Sequence, residues 1–348
     1  MKKEKKGEGK VRVIIMMVMM MVMMGCNSGG VKDPEKVFLS EMVNLGKGFL
    51  EVFVSFGDMI TGTLGIKAET KKSEIGAYFT KIAETMKGVR EKLGKILEEN
   101  GKYEKVKFKV EEFIGKISKI EEGAKEASKG ATGEAIGNAA SAGHGATPAN
   151  KESVVSLVKG IKAIVGVVLK DNEGSADANK TGDDKKDIGT LFVNDDGKAD
   201  AKEENIAKAI ASIGAVNGVD VLQAIAKSDE NPFVDSANGI TKAKDASGIA
   251  VAPTVANKKE ISEVAAQKDA VIAAGIALRG MAKEGKFAAN QNAKDANAVN
   301  GAVASAVNKV LSTLVIAIRN RVDEGLKGIN EILGEIKQGD STVAKVSE

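Results

Sequence analysis

The chain of 348 residues has one cysteine, one histidine, no tryptophan, two tyrosines and four prolines. Each shortage closes off a set of functions. A single cysteine, Cys26, permits no intramolecular disulfide. A single histidine, His144, leaves a zinc site or a Ser-His-Asp constellation without its usual partners. Aromatics at 3% deny the surface the platforms on which sugars and bases stack. No Gly-x-x-x-x-Gly-Lys-Ser/Thr phosphate loop is present, and no Gly-x-Gly-x-x-Gly follows a strand pattern. The 48 acidic residues could hold a catalytic carboxylate pair, but nothing in the pattern offers an aromatic-lined apolar pocket to raise a carboxyl pKa. The expectation is no catalytic residue, no metal site and no cofactor. One motif comes near calcium: Asn194, Asp196, Gly197 and Glu203 fall on positions 3, 5, 6 and 12 of an EF-hand loop. Phe192 stands at position 1, where an oxygen ligand is required, so Asp200 and Glu203 read instead as a helix cap. His144, in a Gly/Ala stretch, reads as a surface residue.

What is present begins at the N-terminus. Val13–Met24 is an unbroken apolar run closed by Gly25-Cys26, with Lys2, Lys3, Lys5, Lys6, Lys10 and Arg12 ahead of it. A basic region, a short apolar core and a small residue before the cut describe an export signal. The run is too short to span a membrane, which takes roughly 20 residues. The cysteine points to a lipoprotein signal, with cleavage between Gly25 and Cys26 and acyl chains on the Cys26 thiol. Residues 1–25 carry six basic and two acidic groups, a net of +4 against +3 for the whole chain, which leaves about −1 afterwards. Nucleic-acid binding, which needs a basic face, is therefore not expected.

The remaining pattern is helical. Asn27–Lys32 is a polar, glycine-containing tether. Asp33-Pro34-Glu35 starts a helix whose stripe of Phe38, Met42, Leu45, Phe49, Val52, Phe53 and Phe56 runs to Gly57. Steps of three and four predict further helices over 73–99 and 102–129. Residues 131–149 lose all periodicity and read as a hinge; 154–169 read as a buried helix and 170–186 as a mobile surface loop. The Asp200/Glu203 cap opens a helix to about 217 whose pattern continues to 227. Residues 228–256 hold a short hairpin or loops. Asn257–Glu260 caps a helix to about 283, and 299–336 form one long helix that serves as a spine. The expected fold is all-α, packed helices around the spine, with stability resting on Ile276 and Leu314 and with the stretch 171–186 free to change.

Four segments carry a resemblance. KVFLSEMVNLGKGFLEVFVSFGDMI (36–60) and KKSEIGAYFTKIAETM (71–86) resemble the N-terminal framework of the variable large proteins, variable major surface lipoproteins of relapsing-fever spirochaetes. IAAGIALRGMAKEGKFAA (272–289) resembles the invariant segment of the related variable surface lipoprotein of Lyme spirochaetes, and LVIAIRNRVDEGLKGINEILGEIKQGD (314–340) fits the C-terminal framework. The resemblance implies a signal peptide over 1–25, a tether over 26–32 and one all-α domain over 33–348, an elongated helical bundle. Framework parts (33–130 and 258–340) would pack near the membrane, and a variable, loop-rich part (131–257) would face outward. It also implies anchorage in the outer-membrane lipid through Cys26, host antibodies as partners and a role in antigenic variation. The segment around Arg279 and Met281 would be a framework helix, antigenic in relatives. An adhesin for a host surface protein, a solute-binding lipoprotein and an exported enzyme are the competing readings.

Overall fold

The computed structural model describes residues 65–336 apart from Gly101, Asp183 and Ala256, together with five helical positions between Ser40 and Lys47. The export signal, Gly25, Cys26 and most of the helix expected over 33–57 lie outside the described residues.

Helices α1 (Lys72–Asn100) and α2 (Glu104–Gly130) form a long antiparallel hairpin. Their contact is the pair of apolar stripes read from the sequence. Ile75, Phe79, Ile82, Met86, Val89 and Leu93 on α1 are buried, as are Val106, Val110, Phe113, Ile117 and Ile120 on α2. Arg90 Nε donates across the hairpin to Glu121 Oε2 at 2.9 Å, and Lys125 pairs with the same carboxylate. Helix α3 (Lys151–Val168) starts where the Asn150 side chain accepts the Ser153 N–H at 3.0 Å. It crosses α2 backbone to backbone: a Cβ on Gly160 would lie 2.4 Å from Ala127 N and Gly123 O. Only glycine permits that approach.

Helices α4 (Glu203–Ala215) and α5 (Gly218–Ala226) meet at 98°. The sequence pattern runs through this corner, but the backbone does not. Asn217 and Asp220 form a reciprocal capping box that begins α5 afresh. Lys309 Nζ donates to Ile213 O and Val216 O, both at 2.6 Å, and so occupies the carbonyl end of α4. Short α6 (Ala246–Val251) leads by turns into α7 (Asp269–Met281), and α8 (Ala293–Glu335) closes the fold. At 43 residues, α8 is roughly 65 Å long. It touches α2, α3, α4, α5 and α7. It is long and apolar enough to cross a membrane, but half of its apolar stretch is buried inside the protein, as befits a core helix. All thirteen residues of α7 are buried, sheathed chiefly by α4, α5, α6 and α8. No β-strand forms among the described residues; three isolated antiparallel bridges, such as His144 with Ala289, tie loops together.

The all-α expectation and the positions of α1, α2, α3 and the spine agree with this fold. Other local expectations need correction. The helix expected from Asn257 starts only at Asp269. Asn257 sits at φ 60°, in the left-handed region, and the Ile261 amide is drawn aside to Lys186 O at 2.9 Å. Asp200 is not the cap of α4: it ends a 3₁₀ turn, its carbonyl accepts from Asn205 Nδ2, and its carboxylate pairs with Lys259 at 2.9 Å. Residues 228–256 hold no hairpin, only turns, a 3₁₀ segment (Gly239–Lys242) and α6. Spine α8 begins at Ala293 rather than 299.

The segment 170–186, expected as a mobile surface loop, lies largely on the surface, with Ala176 and Lys185 its buried described residues, but it is tied down at specific points. Lys180 N, Thr181 N and Thr181 Oγ1 all donate to the Asp269 carboxylate, at 2.6, 2.8 and 2.7 Å. Lys185 Nζ reaches Asp269 Oδ1 at 2.9 Å, and both side chains are almost wholly buried. Gly174, at φ +77°, lies so close to α5 that a Cβ would meet the Val219 carbonyl carbon at 2.8 Å. The segment is a strap fixed to the start of α7, and replacing 171–186 would strip a buried carboxylate of its partners.

Candidate functional site

The residues singled out for chemistry are spread over separate structural tasks. His144 is half-buried rather than on the surface. Its Nδ1 faces Gly145 O at 2.9 Å, its Nε2 faces Asn138 O at 3.0 Å, and the Ala140 amide approaches Nε2 at 3.1 Å. The ring is a spacer that shapes the 138–147 turn. The calcium-like stretch is taken apart in the same way. Asn194 caps a turn through Gly197 N, Asp195 accepts from Gly145 N and Lys198, and Glu203 pairs with Lys294 at 2.7 Å. Among the described residues, no three His, Cys, Asp or Glu side chains are grouped to hold a metal ion.

Open clefts lie along the helix pairs. A groove of about 530 Å³ between α2 and α3 is walled by Lys119, Glu122, Glu126, Lys159 and Lys162. A smaller one, about 380 Å³, lies between α2 and α8 beside Lys109, Lys116, Arg321 and Glu331. Both are open and lined by alternating charges. Enclosed ligand sites are instead mostly apolar, with a few convergent polar groups.

The chemistry that the sequence reading missed is in the interior. Arg279, on α7, is fully buried. Its Nε donates to Lys286 O at 3.0 Å, and its Nη1 lies 3.2 Å from both Ala250 O and Ala252 O at the carbonyl end of α6. The guanidinium sits 5.0 Å from the Phe192 ring centre and 5.8 Å from that of Phe287, and these two rings meet edge to face. Nη2 has no hydrogen-bond partner among the described residues. Burial pushes the Arg279 pKa down to about 9, so the side chain keeps its charge at neutral pH. Carbonyl dipoles and aromatic faces, rather than a carboxylate, compensate that charge. A nearby amine, Lys72 at the start of α1, donates to Ala282 O and Gly285 O, both at 2.7 Å. Burial, then the charges of Arg279 and Lys286, push Lys72 down to about 7. The two cations pull 249–252 and 282–286 together around the end of α7. A signal existed in the sequence: a lone arginine in the otherwise apolar 270–281 run must be buried with acceptors, since an unpaired buried charge is prohibitive.

The pH consequence has a definite sign. Lys72 falls from its ordinary value of 10.5 to about 7 on folding, so the unfolded chain binds more protons between those values. Stability therefore rises as pH climbs through that window and is lost again as pH falls toward 7. In Lys72→Met this slope should flatten. Urea titrations at pH about 7, 8.5 and 10 would measure it, and equal slopes in both proteins would refute the assignment.

With interior polarity committed to holding helices together, the features define a class: a helical scaffold protein whose buried polar groups knit its helices. The family model described as Borrelia lipoprotein matches residues 49–333. The chain belongs to this Borrelia lipoprotein family. It is 60% identical to Variable large protein 4 of Borrelia hermsii, over 92% of each chain. It is 58% identical to Variable large protein 17 of the same organism, over 92% of this chain and 91% of that one. Among solved structures, the Lyme disease variable surface antigen VlsE of Borrelia burgdorferi matches with a TM-score of 0.68 and 29% identity, covering 84% of this chain and 97% of that one. The last of these is a variable surface antigen by its own description.

Proposed function

We propose that this chain is an outer-surface lipoprotein that serves as a variable major antigen, presented to host antibody and exchanged for sibling versions to escape it. The observation that carries this reading is its 60% and 58% identity to two variable large proteins, each over 92% of this chain. The fold supports it physically. Helix α7 and the inward stripe of α8 are buried, so the scaffold's own determinants are withheld from the surface. Exposed helix faces and turns can change there at a cost usually within about 0.5 kcal/mol.

The same proposal includes the anchor. Cleavage between Gly25 and Cys26 leaves Cys26 at the new N-terminus, and acylation of its thiol holds the protein in the outer membrane. Each buried methylene of an acyl chain adds about 0.8 kcal/mol, and more than one chain is needed for stable attachment. The framework would then comprise 33–130 and 258–340, with 131–257 as the variable, outward part; the strap at 171–186 is largely exposed there but pinned to α7 through Lys180, Thr181 and Lys185. In Cys26→Ser the protein should leave the membrane fraction or remain unprocessed, as read by detergent-phase partitioning and mass. Unchanged partitioning would rule out the anchor. Antibody binding to intact cells, removed by surface proteolysis, tests the antigen role. Absence of binding to intact cells would overturn it.

A further inference from the structure

We propose that Phe233 and Val234 form the apolar anchor of an antibody-contact site on this chain. The proposal rests on the antigen reading and adds to it a place and a chemistry.

Phe233 is 67% exposed and Val234 39%. Among the described residues they are the only large exposed hydrophobic side chains adjacent in the chain. Phe108, Ile210 and Ile316 stand singly on α2, α4 and α8, and Val264 stands singly in a turn. Isolated exposed apolar residues need no explanation. A pair held up on a braced loop does, because it forgoes burial that the adjacent core could have offered.

The loop is rigid by construction. Pro232, immediately before the pair, is buried. Glu230 is tied to Lys162 of α3 at 2.6 Å, and the Asp229 amide donates to Asp245 Oδ2 at 2.9 Å. On the other side, the Asp235 carboxylate accepts from Ala237 N and Asn238 N at 2.9 Å and from Asn238 Nδ2 at 3.0 Å. Gly239 then turns at φ +52° against Pro253, where a Cβ would lie 2.4 Å from the Pro253 carbonyl oxygen. Both ends of the loop are therefore pinned, and the two apolar side chains project between them.

Such a feature suits an antibody combining site. Binding energy at protein interfaces concentrates in a few large, rigidly presented side chains, with aromatic groups enriched. A pre-ordered loop loses little conformational freedom when it is bound. Tyr-rich combining sites supply flat apolar area for a phenyl ring, and their Ser and Asn side chains can meet the polar turn around it. Glu230 is paired with Lys162, while Asp229 and Asp235 accept from amides and keep their charge, so the surface offered is an apolar tip on an acidic, hydrogen-bonded rim.

The test uses monoclonal antibodies raised against the folded mature chain. Dissociation constants are measured for the wild type, for Phe233→Ser with Val234→Thr, and for Phe108→Ser as a control, with melting curves run in parallel. The expected result is a group of antibodies that lose more than about 30-fold affinity for the double variant and less than about threefold for the control. Asp235→Ala, which keeps the apolar pair and loosens the turn, should weaken the same antibodies by a smaller factor. Should the double variant melt early, antibody-protected hydrogen exchange on the wild type decides: protection centred on 229–239 supports the proposal, and none there overturns it. It is also overturned if no antibody loses more than about threefold. A host surface protein that loses binding to the double variant while all antibodies keep theirs would reassign the tip to that protein and overturn the proposal. The antigen role is judged separately: binding to intact cells without any loss on the double variant leaves that role standing and removes only this site.

Discussion

Arg279→Ala is expected to remove at least about 4 kcal/mol of folding stability. Four carbonyl oxygens, those of Ile249, Ala250, Ala252 and Lys286, receive donors from this guanidinium. Truncation strands Ala252 O, while Ile249 O, Ala250 O and Lys286 O keep the Ala252, Ala149 and Thr147 amides; a buried unsatisfied polar group costs roughly 1–3 kcal/mol. A cavity between Phe192 and Phe287 adds a further loss of the kind that large-to-small core changes produce. Against a total of about 5–15 kcal/mol for a domain, this change would leave a marginal protein. Arg279→Lys keeps the charge but not the planar fork that spans both carbonyl groups and stacks on the rings, so an intermediate loss is expected. The urea midpoint reads the effect, with Phe108→Ala as a surface control expected to stay within about 0.5 kcal/mol. A loss for Arg279→Ala no larger than for that control would dispose of the idea that the cation knits α6 to α7.

Asp269→Ala is expected to cost about 3–5 kcal/mol, because it leaves the Lys185 ammonium buried and unpaired. The change also frees the strap, since Lys180 N and Thr181 N lose their acceptor. Two readouts separate these effects. Global unfolding measures the buried charge, and native-state hydrogen exchange at the Lys180 and Thr181 amides measures release of the strap. Pairing Asp269→Ala with Lys185→Met should cost less than the sum of the two changes, as neighbours in one ion pair are not additive. The pH dependence has the same sign as that of Lys72 but falls in a more acidic window. Burial alone would raise the Asp269 pKa, but hydrogen bonds from Lys185 and Thr181 outweigh it and hold the carboxyl below its ordinary value of 3.8. The stability it contributes is present above that ordinary value and is lost as pH falls through the folded one. If Asp269→Ala unfolds at the wild-type midpoint with unchanged amide exchange, the strap is not held as described.

The long helices were legible because periodicity reports burial directly. The stripes Ile75–Leu93 and Val106–Ile120 face each other as their spacing requires. Illegible parts had a common cause: backbone groups and charges satisfied from far along the chain. The corner at Val216 depends on Lys309, about ninety residues away, and no local pattern announces a capping lysine from another helix. The strap at 170–186 looked like a loop because it is polar, yet its amides are claimed by Asp269. The late start of α7 has the same origin, with Ile261 bonded to Lys186. Arg279 was passed over because the apolar residues around it set the reading of the segment. A single charged residue among them was the informative one. The surface pair Phe233–Val234 had no periodic signature, since a braced turn owes its shape to Asp235 and Gly239 rather than to a repeat.

The unbroken length of α8 sets where this chain can gain or lose residues. One residue inserted near its middle would rotate everything beyond it by about 100° and lift it by about 1.5 Å. Val322, Leu326 and Ile329 would swing out of the core, while Lys309 and Thr313 on the other side of the insertion stayed locked to the α4–α5 corner. Length changes are thus barred from the spine and must fall in turns that no such contacts pin, where added chain costs only loop entropy. Sibling sequences that differ by insertion or deletion should therefore keep α8 at constant length, whatever else they exchange.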